Sequence, residues 1–318
     1  MLPCLCMVAI MLLFASCNEP KRLLPPSGGR LYEVLLVGDK DDIVKKVLQE
    51  DVSGLPQSEP QFDVSSIDES RFNQSVSMAR NIVQVDIDPK LYSSVRLRYE
   101  KDVWAQPQMV VHVNAPSVRM LRDSISRIVP ALLRLLNRAE INKSVAMLKT
   151  SRNIRAEKLV KKMFGIEMLI PQDMMASRRG KNYLWLSNNS PSAMTNLVIF
   201  KAKDRNSILY EGIKGETDSM HMQIVEGTVS SALSFRTDKD EKFWLAHKTD
   251  STLPIMLYRG LWAMTGDDMG GPFVSRTVYI DKKGRRQHLV VEGFVFAPGK
   301  KKRNAIKHLE AALYTIKY

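Results

Sequence analysis

Beyond residue 17 the chain has no cysteine. Cys4, Cys6 and Cys17 are its only three, so everything downstream forms no disulfide, offers no thiolate nucleophile and has no sulfur ligand for zinc. Histidine is scarce as well. His112, His221, His247, His288 and His308 are scattered, with no HxH or HExxH pair, so no metal site is expected. The phosphate-loop pattern GxxxxGK[ST], the nucleophile elbow GxSxG and the calcium-loop spacing are all missing, and no cofactor is expected. Long apolar runs are lacking too. The run Met7 to Phe14 is far short of the roughly 20 residues that cross a bilayer as a helix.

That short run is informative for what surrounds it. Residues 1–16 carry no charge, not even the Lys or Arg usual at the start of a secretory signal, and the small pair Ala15-Ser16 stands directly before Cys17. This order reads as a lipoprotein signal peptide over 1–16, with cleavage leaving Cys17 as an acylated N-terminus. An ordinary signal-peptide cysteine, or an uncleaved anchor, are the alternatives. Residues 17–29, with Pro20, Pro25, Pro26 and Ser27-Gly28-Gly29, then form a flexible tether. Because a lipid-anchored domain in an oxidising compartment lacks disulfides, its stability must come from an apolar core, which residues 30–318 are long enough to build.

Charge is unevenly placed. The formal net charge is +13, from 47 basic and 34 acidic residues. Arg138 to Lys162 holds Arg138, Lys143, Lys149, Arg152, Arg155, Lys158, Lys161 and Lys162 against Glu140 and Glu157. Lys282 to Lys307 holds nine basic residues against Glu292 alone. The two stretches account for the whole excess. Such faces are either simply solvated or attract anionic partners over a range of about 8 Å at physiological salt. Nucleic acid, the usual partner of a basic protein, does not fit a secreted one. Anionic lipid, an acidic glycan or an acidic envelope protein remain.

An α+β fold is expected, in two halves, 30–136 and 137–318, each a small mixed or antiparallel sheet packed with helices. Leu31–Val37, Gln61–Ile67, Asn81–Ile87 and Met109–Val113 read as strands, and Asp41–Gln49 as a helix. A strand running through Ala-Pro into a helix occurs twice, at Val111–Pro116 and Gly293–Pro298. That recurrence suggests either an internal duplication or the chance repetition of a common unit. The helical stripes Leu121, Ile125, Ile128, Leu132, Leu136 and Ile141, Val145, Leu148, Leu159, Met163 predict two helices meeting near Asn137, with Pro130 kinking or dividing the first.

The densest cluster of chemically useful residues runs from Arg259 to Ser275. Gly266, Gly270 and Gly271 permit close backbone approach, Asp267 and Asp268 supply carboxylates, Arg259 a cation and Trp262 a stacking wall. As a ligand or partner loop it would use Arg259, Trp262, Asp267, Gly270 and Gly271. As a catalytic centre it would use Asp267, Asp268 and Glu292 as acid and base. A tight turn braced by an Arg–Asp pair and a buried Trp explains the same residues without a ligand. The loop Gly212–Met222 is a candidate flap over the second half, or core packing.

Arg259-Gly260-Leu261-Trp262, Met269-Gly270-Gly271-Pro272-Phe273-Val274 and Glu292–Pro298, together with Leu55-Pro56-Gln57, Glu59-Pro60 and Arg80-Asn81-Ile82, resemble an uncharacterised Bacteroidetes lipoprotein family described only as a domain of unknown function. The resemblance spans nearly all of 30–318. It implies lipid anchorage to a bacterial membrane and assigns no activity. Surface-exported lipoproteins of that kind would carry an acidic cluster after the lipidated cysteine. Here only Glu19 follows, which favours the periplasmic face of the outer membrane.

Two functions compete. One is a lipid-tethered binding or scaffold module whose basic faces meet an anionic envelope component or partner protein. The other is a metal-independent hydrolase or transferase of envelope glycan with carboxyls paired roughly 5 to 10 Å apart. The sparse chemistry favours the first, a non-enzyme.

Overall fold

The structure, a computed structural model, describes residues 23–202, 257–263, 269–282 and 285–318. They form a mixed α+β protein with two sheets and four α-helices. The first sheet contains β1 (Glu33–Val37), β2 (Asp63–Ile67), β3 (Asn81–Ile87), β4 (Arg96–Lys101) and β5 (Met109–Ala115), in the order β2-β1-β3-β5-β4. The first four strands of that order are parallel, and β4 closes one edge antiparallel to β5.

Helix α1 (Ile43–Leu48) connects β1 to β2. Gly38 turns the chain out of β1 at φ +79°, where a Cβ would stand 2.5 Å from the Val85 carbonyl oxygen. The Asp39 carboxylate then accepts from the amides of Ile43, Val44 and Lys45. Burial raises the Asp39 pKa above its ordinary value, against those three amides.

Helix α2 (Val118–Thr150) is where the structure departs most from expectation. Ser117 caps it, its hydroxyl accepting from the Met120 amide at 3.2 Å, and 33 residues follow without a break through Pro130 and Asn137. The expected junction of two helices near Asn137 is absent. The physical reason is packing on two bodies. Leu121, Ile128, Leu132, Leu136 and Ala139 lie in the first core against Val83, Val111 and Val113, while Leu148 reaches the second core. At 1.5 Å per residue this spine is about 50 Å long.

Helix α3 (Ile154–Phe164) starts after a short turn, capped by Asn153, and stops at Gly165 at φ +78°. The second sheet is wholly antiparallel: β6 (Ala176–Arg179), β7 (Tyr183–Ser187), β8 (Met194–Ala202), β9 (Leu257–Ala263), β10 (Gly270–Lys282) and β11 (Arg285–Phe296), in the order β6-β7-β8-β11-β10-β9. Helix α4 (Arg303–Tyr314) follows β11 through Ala297-Pro298. α3 and α4 cover one face of this sheet. Ala156, Val160 and Phe164 from one, and Ile306, Leu309 and Leu313 from the other, pack with Leu197, Ile199, Val274, Val291 and Val295. Gly293 allows the close approach, since a Cβ there would lie 2.9 Å from Leu309 Cβ.

The two strand, Ala-Pro, helix units are therefore real, but the sheets that contain them differ in strand direction. The 212–222 segment lies outside the described residues.

Candidate functional site

Alternation along a strand sends successive side chains to opposite faces. On the second sheet one set meets the helices. The other set, on the face away from α3 and α4, combines a buried aromatic cluster with polar groups. Tyr183, Trp185, Val198, Phe200, Trp262, Phe273, Val290 and Phe294 form the apolar part. Trp262 stands edge-on to Phe294 at 5.1 Å between ring centroids, and Trp185 meets the same ring at 5.7 Å.

Set into this cluster are Asn196, Ser275, Thr277, His288 and Glu292. Each has a buried polar atom without a hydrogen-bond partner: Asn196 Nδ2, Ser275 Oγ, Thr277 Oγ1, His288 Nδ1 and both carboxyl oxygens of Glu292. Buried polar atoms are paired in the great majority of cases, so five such residues on one sheet face mark it as unusual. Register brings them together. Ser275 is the direct cross-strand neighbour of Glu292. Thr277 lies diagonally on β10, and Asn196 diagonally on β8, beside Val198, which pairs with Glu292. Direct and diagonal neighbours of this kind are about 5 and 7 to 8 Å apart. The Asn196 carbonyl oxygen is already used, accepting from the Trp185 indole at 3.0 Å. His288 stands further along β11, edge-on to Tyr279 at 4.9 Å.

Glu292 is fully buried, and burial pushes its pKa up to about 8, with the nearby Ser275 hydroxyl opposing in part. At neutral pH it is mostly protonated. It then offers one O–H donor and one carbonyl acceptor, and so complements an uncharged polar group better than a cation.

The residues named from the sequence separate on this scaffold. Trp262 and Glu292 share the aromatic face. Arg259, three positions before Trp262 on the same strand, faces the helices and forms a bidentate pair with Glu310 of α4, with contacts of 3.2 and 2.5 Å. Gly270 and Gly271 open β10 opposite Ala263 and Trp262. At Gly271 a Cβ would be 2.0 Å from the Val295 carbonyl oxygen and 3.2 Å from Trp262 Nε1. Its bareness thus lets the Trp262 indole donate to the Val295 carbonyl at 3.1 Å. Asp267 and Asp268 lie outside the described residues. Among the described residues no cluster of three metal-ligating side chains occurs.

Sequence reasoning missed the buried carboxylates Glu59, Glu140 and Glu310. Glu140 on α2 accepts from the Tyr32 amide at 2.9 Å and Asn81 Nδ2 at 2.8 Å, with Arg80 at 3.1 Å and Lys143 at 3.4 Å. Lys143, one of the counted basic residues, is therefore internal. Burial lowers its pKa to about 8 against the pull of Glu140. Glu310 is held at about 2, because Arg259 and Lys307 together outweigh the upward push of burial. Arg276, buried, donates to the Leu313 carbonyl at 2.7 Å. For Glu140, Lys143, Arg276 and Glu310 a signal was present, a single charged residue within an apolar helical stripe or strand, but spacing alone does not give its partner, and Glu59, in the turn before Pro60, gave none.

Of the remaining basic residues of the first stretch, Arg138 is half-buried and the other six are outside. Lys149, Arg152, Arg155, Lys158, Lys161 and Lys162 are exposed, while Ala156, Val160 and Phe164 of the same helix α3 are buried. In the second stretch Lys300 and Lys301 are exposed, whereas Lys302 and Arg303 are buried against the first half.

Fold and site together define an α+β protein of two sheet-based parts sharing one helical spine, with no recognisable catalytic constellation among the described residues. Residues 153–315, about half of the chain, match a family described as a domain of unknown function (DUF4837), and residues 27–149 match a second, DUF8532. The chain belongs to the DUF4837 family, with a DUF8532 part preceding it. The division between the two falls at the turn from α2 to α3. No curated protein and no solved structure matches.

Proposed function

We propose that this protein is a lipid-anchored binding or scaffold lipoprotein of a bacterial envelope, of the Bacteroidetes type, acylated at Cys17 and held at the periplasmic face of the outer membrane. Its basic surface meets an anionic envelope component. The observation that carries this reading is helix α3. It buries its apolar stripe in the second core and turns Arg155, Lys158, Lys161 and Lys162 outward, and among the described residues only Lys161 of these is engaged by an acid, Glu167. A cationic face on a rigid, well-packed helix suits recognition of an anionic surface more than turnover.

The hydrolase reading requires two working carboxyls. Glu292 has the raised pKa of a general acid, its expected partners Asp267 and Asp268 lie outside the described residues, and the other buried carboxylates described, Glu59, Glu140 and Glu310, are each consumed by amides or cations. A second ligand reading does have specific support. The unpartnered donors and acceptors around Glu292 suit a neutral hydrogen-bonding group such as an amide or a sugar hydroxyl. Duplication of the two halves is supported by the repeated strand, Ala-Pro, helix unit and by nothing further.

The test is retention of the purified full chain on immobilised anionic lipid and acidic glycan across a salt gradient, with palmitate labelling of the wild type and Cys17→Ala. Salt-sensitive retention that weakens in Arg155→Glu/Lys158→Glu/Lys162→Glu, and label lost in Cys17→Ala, is expected. Retention indifferent to both salt and the triple change sinks the binding reading.

A further inference from the structure

The corner where α2 ends and α3 begins groups three exposed apolar side chains with four exposed cations. Met147, Ile154 and Met175 are large apolar side chains left 52%, 51% and 74% exposed. Around them stand the exposed cations Lys149, Arg152, Arg155 and Lys158. The corner is rigidly knit. The Ser151 amide donates to the Met147 carbonyl, Ser151 Oγ to Gln172 Oε1 at 2.9 Å, and Asn153 Nδ2 to the Met174 carbonyl at 2.8 Å, with Met175 Sδ 3.8 Å away. Its acids are few: Glu157, which Arg152 and the Ile170 amide already occupy, and Asp173.

Its position is the second half of the argument. Helix α2 leaves the C-terminal end of β5 and runs back along the sheet. At Glu140 it is level with Tyr32 and Asn81, at the N-terminal ends of β1 and β3. The tether enters at that same end. Pro26 bridges Gln106, Gly28 bridges Ala79, and Arg80 connects the Gly29 carbonyl, at 3.4 Å, with Glu140, at 3.1 Å. Met147 lies seven residues beyond Glu140, about 10 Å further out along the helix. From Cys17 to Pro25 the chain spans at most about 29 Å even when fully extended. An acylated Cys17 therefore tethers the molecule at the N-terminal ends of β1 and β3, the level from which α2 runs on to its corner with α3.

We propose that the α2–α3 corner is a membrane-docking surface for anionic phospholipid, seating Met147, Ile154 and Met175 among the acyl-chain boundary while Lys149, Arg152, Arg155 and Lys158 meet the headgroups. This rests on the anchored reading above and goes beyond it by naming the anionic component as lipid. Exposed apolar tips ringed by cations are what a bilayer interface rewards, whereas a glycan or acidic protein would be met by the cations alone. Docking would fix the orientation, with the far end of α2, near Met120, held away from the lipid.

The mature chain has no thiol once Cys17 is acylated, so single cysteines report cleanly. The full chain, with Ile154→Cys, Met175→Cys or, as the distant control, Met120→Cys, carries an environment-sensitive fluorophore. It is reconstituted into vesicles of equal parts phosphatidylglycerol and phosphatidylcholine, and of phosphatidylcholine alone. The expected result is a blue shift and quenching by lipid-borne nitroxide at 154 and 175 in the anionic vesicles only, with 120 unchanged. Lys149→Glu/Arg155→Glu/Lys158→Glu should weaken that quenching at least roughly tenfold in the lipid titration.

If 154 and 175 remain as exposed as 120 while palmitate is incorporated, docking is overturned and anchorage stands. If palmitate is absent, anchorage falls, and the same labels on unlipidated protein that also carries Cys4→Ala, Cys6→Ala and Cys17→Ala, mixed with vesicles, decide docking alone: quenching retains it, no quenching ends it. Protection of 154 by heparin, without quenching in vesicles, would reassign the cations to a glycan and overturn the lipid proposal.

Discussion

Glu59 closes the N-terminus of the last helix from the other half of the chain: its two carboxylate oxygens accept from the amides of Lys302, at 2.6 Å, and Arg303, at 3.1 Å. Helix α4 has no side-chain cap of its own. Arg303 returns the connection, donating to the Pro60 carbonyl and to Asp63, both at 2.7 Å. A helix terminus that lacks a local cap leaves amide donors exposed to desolvation, and a carboxylate there also meets the positive end of the helix dipole. The two matched parts are thus joined by backbone capping as well as by the shared spine.

Glu59→Ala should cost about 2 kcal/mol, since it strands two buried amides and leaves Arg303 with fewer acceptors nearby. Glu59→Gln, which keeps one acceptor, should cost about half of that. Chemical denaturation measures both. Hydrogen exchange should show faster opening confined to the first turn of α4 and to residues 57–63 in the Ala variant. Unchanged protection in both segments would show that the cap is not holding the halves together.

Glu292 makes a prediction with a definite sign. Its pKa is raised from 4.5 to about 8 by burial, so the folded state binds its proton more tightly than the unfolded chain does. Stability from this group is complete below about pH 4.5 and is lost as pH climbs towards 8. Thermal melts of the wild type should therefore fall between pH 5 and 8, with the slope largely removed in Glu292→Gln and the variant more stable than the wild type at pH 8. Parallel pH profiles for the two proteins would mean that the carboxyl is already solvated or paired.

Much of the first half was legible because its strands run apolar without a break. Asn81–Ile87 and Met109–Val113 appear almost where the side-chain pattern put them, since strands β3 and β5 are buried on both faces of a parallel core. Strand β4, Arg-Leu-Arg-Tyr-Glu-Lys, was missed because an edge strand with four exposed charged residues offers only Leu97 and Tyr99 as an alternating signal. Pro130 does not divide α2: two cores grip one helix, and that tertiary packing outweighs one missing backbone hydrogen bond. The candidate site was half legible. Trp262 and Glu292 were named from composition, but Ser275 opposite Glu292 depends on the β10–β11 register, and Arg259 turning to Glu310 depends on a contact 51 residues away.

Glu310 predicts the acid limb. Arg259 and Lys307 hold it at about 2 against burial, so its contribution is present above its unfolded value of 4.5 and disappears as pH falls from there towards 2. The loss is at most roughly 3 kcal/mol. Arg259→Met should raise the Glu310 pKa and move the acid unfolding midpoint to higher pH, while Glu310→Gln should flatten the acid limb at the cost of stability at neutral pH. Acid titrations followed by circular dichroism distinguish these outcomes. Superimposable acid limbs in all three proteins would place the controlling carboxylate elsewhere, with Glu140 the next to test.

Gly271 gives the sharpest steric prediction. A methyl at this position would stand 2.0 Å from the Val295 carbonyl oxygen, a backbone atom that cannot swing aside, and 3.2 Å from the Trp262 indole nitrogen. Gly271→Ala must therefore part β10 from β11 or push the indole off its carbonyl, which places it among overpacking substitutions costing about 1 to 3 kcal/mol or more. Trp262 lies buried at 2% exposure and carries the 3.1 Å hydrogen bond, and because Trp104, Trp185 and Trp244 also emit, its share is taken as the difference from a matched Trp262→Phe background. Emission should shift to longer wavelength and become accessible to iodide. Gly299→Ala provides the contrast: no atom lies within 4 Å of its would-be Cβ, so its cost comes only from the backbone at φ +67° and should leave the Trp262 signal unchanged. Equal fluorescence shifts in the two variants would show that general loosening, rather than the Trp262–Val295 contact, is being measured.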